Sequence, residues 1–268
     1  MCLALLDTRN ATQGRVILIS NRDEFHRRPT APLAWWAPES GSGAPAICGG
    51  RDLEAGGTWL AVSREGRFGF VTNYRDPTLA QTAPRSRGEL VPEFLRSDLA
   101  PLEFARRLEP RRAEYAGYNL IVGTASGELA YFSNVGGPAR ALEPDVYALS
   151  NGLLGDEWPK TRRVRDGYLA VDARTGAAGA EPRAAPRAEA LFALLADRTP
   201  APDSELPRTG VPLEWERILS PVFISGRDYG TRASSILEIA GGAVTMTEWS
   251  FGPECAPLGT RSEHFVIS

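Results

Sequence analysis

The sequence predicts an α+β protein built on antiparallel sheets. Two observations carry this. Its periodicities run strands, helices, strands, helices, strands, with no regular βαβ alternation. The strand-like runs also come in pairs around short polar turns, as hairpins do.

Leu3 to Thr8 and Arg15 to Ser20 flank the polar segment 9–14, a hairpin. Residues Pro29 to Gly57 are rich in proline and glycine and read as one long irregular loop. Thr58 to Ser63 and Phe68 to Tyr74 flank Arg64-Glu65-Gly66-Arg67, a second hairpin. Ser86-Arg87-Gly88-Glu89 is a capping box, and behind it Leu90, Val91, Phe94 and Leu95 recur at helical spacing. A short helix follows Pro101. Tyr118 to Gly123, Glu128 to Ser133 and Val146 to Ser150 read as strands. Lys160 to Leu169 and Ala188 to Leu195 read as helices, joined by a loop over 173–188. Pro200 to Pro212 reads as surface loop. Ser235 to Ala240, a Gly241-Gly242 turn, Val244 to Phe251 and His264 to Ile267 close the chain as strands. No repeat and no boundary interrupts the pattern, so residues 1–268 read as one domain.

Composition excludes several functions. Net charge is −3 with no long basic stretch, which argues against a nucleic-acid partner. No apolar run of about 18 residues exists, so no transmembrane segment is expected. No basic leader precedes the first apolar run. The cysteines, Cys2, Cys48 and Cys255, are odd in number and widely spaced, which fits a reducing cytoplasm better than a disulfide framework. His26 and His264 show no ligand spacing, so no metal site is expected.

Position 2 holds the chain's most reactive prospect. Removal of Met1 would leave Cys2 with both a thiol and a free α-amine. Such an amine, with a reference pKa of about 7.7–8.0, can take the thiol proton near neutral pH. A small cysteine there is also ordinary core filling.

Six features stand in order along the chain: Met1-Cys2, Asn21-Arg22-Asp23-Glu24, Gly49-Gly50-Arg51-Asp52 with Gly56-Gly57-Thr58-Trp59-Leu60, Thr72-Asn73-Tyr74-Arg75, Ser150-Asn151-Gly152 with Trp158-Pro159-Lys160, and Tyr229-Gly230-Thr231-Arg232. Together they resemble the NRDE family, also called the Transport and Golgi organisation protein two family. That family is similar to N-terminal nucleophile (Ntn) hydrolases of the bile-salt hydrolase and penicillin V acylase type. The resemblance implies a four-layer αββα sandwich with two antiparallel sheets.

It also implies a catalytic set. Cys2 falls at the nucleophile, Asp23 at the carboxylate that holds the α-amine, Asn73 and Asn151 at the oxyanion donors, and Arg232 at a late arginine of the site. Asn21 and Arg22 support them. The hydrolases carry an arginine where this chain has Ser20, and Arg22, two residues on, can share the same strand face.

Two functions remain open. One is an N-terminal cysteine hydrolase that cleaves a non-peptide, linear amide through a thioester, with no cofactor required. The other is a non-catalytic carrier of haem or of an acyl-CoA or lipid ligand on the same fold. Its partner is then a hydrophobic ligand instead of a small-molecule substrate. Of the remaining features, Glu24 reads as an arginine partner or turn cap, and Lys160 to Arg165 as a solvated helix face. Trp35-Trp36 reads either as pocket lining or as packing under the loop.

Overall fold

The computed structural model describes residues 2–36, 45–80, 82–176 and 184–268. In chain order the strands and helices are β1 (Cys2–Asp7), β2 (Val16–Phe25), β3 (Thr30–Trp36), β4 (Ile47–Asp52), β5 (Leu60–Ser63), β6 (Phe68–Asn73), α1 (Leu90–Leu95) and α2 (Pro101–Arg107). They continue with β7 (Tyr118–Gly123), β8 (Leu129–Ser133), β9 (Arg140–Ala141), β10 (Val146–Leu149), α3 (Pro159–Gly176), α4 (Ala184–Leu195), α5 (Leu213–Ile218), β11 (Tyr229–Ala240), β12 (Ala243–Phe251) and β13 (Pro257–Val266).

The strands form two antiparallel sheets. One has the order β10-β1-β2-β11-β12-β13, the other β3-β4-β5-β6-β7-β8-β9. Alternation along β1 and β2 decides which side each residue serves. Cys2, Ala4, Leu6, Val16 and Leu18 enter the core between the sheets, with Leu60, Val62, Phe70 and Leu237. Leu3, Leu5, Ile17 and Ile19 point the other way, into a second core with Val164 and Tyr168 of α3 and Leu191 and Leu195 of α4. A third core packs Leu90, Phe94 and Phe104 of α1 and α2 on Val71, Leu120 and Phe132 of the other sheet. The layers are therefore helix, sheet, sheet, helix. Strand β1 is buried on both faces along its whole length, which is why it reads as a continuous apolar run instead of an alternating one. None of the described helices is long and apolar enough to cross a membrane.

The long loop expected over Pro29 to Gly57 is corrected: it contains β3 and β4. Its prolines and glycines hid them. Pro32 sits where the β3–β4 register shifts, on the edge strand of its sheet, where a missing N–H is tolerated. Gly49 lies so close to β5 that an added Cβ would stand 2.7 Å from the Leu60 carbonyl oxygen. Strand β2 runs five residues past the expected Ser20, because β11 pairs with it as far as Phe25. Of the loop expected over 173–188, residues 177–183 lie outside the described residues, and both flanks are helical. Helix α5, inside no expected element, follows Pro212.

A buried carboxyl ties the two sheets at one edge. Glu248 of β12 accepts the Leu33 backbone N–H of β3 at 2.8 Å, and burial pushes its pKa up to about 7. Between its ordinary 4.5 and 7 the folded chain then holds more protons than the unfolded one. Stability from this group is present below about pH 4.5 and is lost as pH rises through 7, by up to about 3 kcal/mol. Denaturant unfolding of Glu248→Gln across that window should show a flatter pH dependence than the parent.

Candidate functional site

Strand register builds the site. Cys2 stands opposite Arg22, and Ala4 opposite Ser20. Ser20 and Arg22, two apart on one strand, therefore share the face that Cys2 presents to the space between the sheets. The Arg22 guanidinium lies 4.5 Å over the Trp59 ring. It donates to Asp52 and to Thr30, each at 3.1 Å. Ser20 Oγ is buried with no hydrogen-bond partner among the described residues.

Asp23 is one step beyond the Cys2–Arg22 pair, on the side of the Cys2 nitrogen, and is fully buried. Its Oδ1 accepts the Thr231 hydroxyl at 2.7 Å. Burial raises its pKa, and the nearby Lys160 charge opposes that rise. The expectation of a solvated Lys160 is corrected here. The sole lysine of the chain is 2% exposed at the start of α3, and its Nζ has no hydrogen-bond partner among the described residues. Burial, partly offset by Asp23, lowers its pKa to about 8. The run of charges from Lys160 to Arg165 suggested a solvated face; α3 instead begins against β1, where Lys160, Thr161 and Val164 are buried.

Asn73 ends β6 and lines a pocket of about 140 Å³ with Cys2. Asn151 adjoins it. The Asn151 amide donates to Thr72 Oγ1 and to the Asn73 carbonyl, each at 2.9 Å, so both its hydrogens are committed. Ser150 Oγ donates to the Cys2 carbonyl at 3.0 Å. The Ser150-Asn151 pair thus fastens β1 to the strand end carrying Asn73. The Asn21 amide donates to the Leu195 and Val222 carbonyls, each at 2.8 Å, behind the sheet.

Arg232 stands apart from the Cys2 pocket. Its guanidinium donates to the carbonyls of Phe25, His26 and Arg28 and so clamps the turn from β2 to β3. It borders a different cavity, with Thr30 and Glu248. Trp35 packs edge-on against Phe265 and donates to Glu263, while Trp36 donates to the Gly49 carbonyl. Glu24 lies 4.0 Å from both Arg22 and Arg28.

Cys2 is 6% exposed. Burial pushes its pKa above the ordinary value, Asp23 adds to the rise, and Arg22 opposes it. The sulfur is thus held as a thiol at neutral pH and needs a base to become a nucleophile. A larger cavity, about 600 Å³, lies between Tyr74, Trp158 and Arg208. It contains no cysteine or other nucleophile of that strength, so size does not make it the reactive site.

Among the pocket residues given no site role from the sequence are Arg28, Asp52, Trp59 and Arg87. Their signal was present in the glycines beside them. An added Cβ on Gly50 would meet the Trp59 ring at 2.3 Å, and one on Gly57 would meet the Gly88 carbonyl oxygen at 2.2 Å. These glycines are the contact points that let Trp59 and the Ser86–Gly88 turn close over Cys2. In Gly57→Ala, backbone must move against backbone. A loss of about 1–3 kcal/mol is expected in denaturant unfolding, together with faster alkylation of a less covered Cys2.

Comparison with known proteins gives the chain a family and a fold. The family profile described as Transport and Golgi organisation 2 matches residues 1–253. The Transport and Golgi organization protein 2 homolog of Bos taurus is 36% identical over 250 residues, 88% of this chain and 86% of that protein. The Homo sapiens homolog is 33% identical over 270 residues, 94% of this chain and 93% of that protein. Among solved structures, a point mutant of the conjugated bile acid hydrolase from Clostridium perfringens matches 100% of this chain and 92% of its own. Its TM-score is 0.50 at 7% sequence identity, a likeness of fold.

Proposed function

Because this chain belongs to the Transport and Golgi organisation 2 family and has the fold of an Ntn hydrolase, we propose that it is an N-terminal cysteine amidohydrolase acting on a small non-peptide amide. The observation that carries this reading is the shared pocket of Cys2 and Asn73, with Asp23 buried one residue beyond on the amino side.

Met1 lies outside the described residues; the mechanism requires its removal. The freed α-amine takes the proton of the Cys2 thiol, and Asp23 holds that amine in place. The sulfur forms a bond to the amide carbon, and the carbonyl oxygen becomes an oxyanion held by the Asn73 side chain. The proton passes to the leaving nitrogen as the C–N bond breaks. Water then hydrolyses the thioester, releasing the acid and restoring the thiol. Asn151, with both amide hydrogens spent, acts by holding Asn73. Arg232 acts by fixing the turn that ends at Arg28. No cofactor enters any step. A reducing cytoplasm suits a reaction that depends on a free thiol.

The test is capture of the acyl intermediate. With an N-acyl 4-nitroanilide, acid quenching and peptide mass mapping should find the acyl group on Cys2. Turnover without acyl-Cys2, or an acyl group only on Cys48 or Cys255, refutes the reading.

The competing carrier reading would make Cys2 a haem ligand or the pocket a hydrophobic funnel. Arg22, Glu24, Arg28, Asp52 and Arg87 all border the pocket, and a carrier for an apolar ligand calls for mainly apolar walls. A haem titration is therefore expected to show no Soret shift that Cys2→Ala removes; such a shift would favour carriage.

A further inference from the structure

The charges around Cys2 are not all matched from within the protein. Arg22 donates to Asp52, and Arg28 pairs with Asp52 at 2.6 Å and with Glu54 at 2.8 Å. Glu24 lies 4.0 Å from both. Arg87 differs. It borders the same pocket, donates to the Gly117 carbonyl at 3.0 Å, and has no carboxylate within 4.0 Å among the described residues. A guanidinium has five N–H donors and stays charged in a protein, so most of its hydrogen-bonding capacity is unspent. Arg87 is half-buried, and that burial lowers its pKa while the Glu24 charge opposes the drop.

Arg87 is also held in position. The Ser86 hydroxyl accepts the Gly88 N–H at 3.2 Å. The Thr58 N–H donates to the Gly88 carbonyl at 2.9 Å, and Gly57 admits that carbonyl at a distance no side chain would allow. The turn is thereby pinned to the segment that leads through Trp59 into β5. A group fixed this way recognises an anion without losing much freedom on binding.

We propose that Arg87 is the anion-recognition residue of the Cys2 pocket, and that the amide cleaved there carries a carboxylate, or an anion of similar size, close to its scissile carbonyl. This rests on Cys2 being the nucleophile and adds the class of substrate. The pocket, at about 140 Å³, is well below the roughly 300–1,000 Å³ of sites that enclose a drug-sized ligand. Only the reacting end of the substrate enters it, with the anion. A neutral amide of the same shape leaves Arg87 unpaired and binds more weakly.

Two small alkylating reagents of nearly one shape test this without knowledge of the substrate. Iodoacetate carries the anion, and iodoacetamide does not. Each reacts by forming an S–C bond to Cys2 as iodide leaves, and peptide mass mapping gives the rate at Cys2 alone. A change in thiol reactivity affects both reagents, so the ratio of their rates isolates charge recognition. The iodoacetate-to-iodoacetamide ratio at Cys2 should exceed that of free cysteine by about tenfold, fall to the free-cysteine value in Arg87→Met, and be partly kept in Arg87→Lys. In the unmodified protein, acetate should slow labelling by iodoacetamide, a check that needs no variant. An unchanged ratio in a folded Arg87→Met, or no protection by acetate, overturns the anion site and leaves the nucleophile standing. Failure of both reagents to label Cys2 overturns the nucleophile, and the anion site with it.

Discussion

Cys2→Ala is expected to lower amide turnover by about 10³-fold or more, because it removes the only atom that can form the covalent intermediate. The effect should fall almost wholly on chemistry. Cys2 is a small side chain at the end of β1, and the neighbouring β1 residues Leu3, Ala4, Leu5 and Leu6 remain buried. Unfolding free energy is therefore expected to change by less than about 1 kcal/mol. Cys48→Ala supplies the contrast. Cys48 is completely buried between the sheets, and burial raises its thiol pKa to about 12, so it is inert near neutral pH. Its replacement should leave turnover unchanged. Steady-state assays of both variants beside their unfolding curves distinguish loss of the nucleophile from loss of the fold. Cys2→Ala activity within tenfold of the parent would remove the basis of the mechanism.

The second large effect concerns stability. Arg75 and Glu216 form an ion pair at 2.9 Å with both side chains buried. Glu216 also accepts the Thr209 backbone N–H and hydroxyl, while the Arg75 backbone N–H donates to the Asn151 carbonyl at 2.7 Å. Arg75→Met strands the Glu216 charge out of water. A loss of about 3–5 kcal/mol is expected, because breaking one side of a buried pair costs more than the pair itself contributes. The double variant Arg75→Met with Glu216→Gln should recover much of that loss, since no unpaired charge remains. Urea unfolding of the two single variants and the double variant gives the coupling directly. Arg75→Met should also slow turnover, because the segment it anchors holds Asn73 through Asn151.

The sequence displayed the sheets more clearly than the site. Strands β1 and β7 are mainly apolar runs bounded by polar turns, and β12 alternates buried with partly exposed residues, so pattern locates them. Strands β3 and β4 escape that reasoning. Pro32 and the Gly49-Gly50 pair are there for an edge register shift and for close approach to β5 and Trp59, requirements that exist only once the neighbouring strand is in place. Cys2, Asp23 and Asn73 were legible because short motifs carry them. Whether Arg22 shares a face with Cys2 depended on register, and the β1–β2 pairing settles that it does.

Other roles depended on contacts far apart in sequence. Asn151 spends its amide on Thr72 and Asn73, 79 and 78 residues away. Arg232 reaches carbonyls more than 200 residues earlier. Lys160 sits in a run of charged residues that looks solvated, yet α3 begins against the sheet that contains β1 and buries it. Arg87 looked like part of a helix cap. Its place in the Cys2 pocket follows from two glycines touching across a turn, a spatial fact without a periodic signature.

The proposed mechanism stands or falls on the state of the amino terminus. Intact mass spectrometry of the purified protein reads that state in one measurement. A mass lower than that of the encoded chain by one methionine residue is expected, leaving Cys2 with a free α-amine beside Asp23. A mass that retains Met1 would lock that nitrogen in a peptide bond and contradict the mechanism.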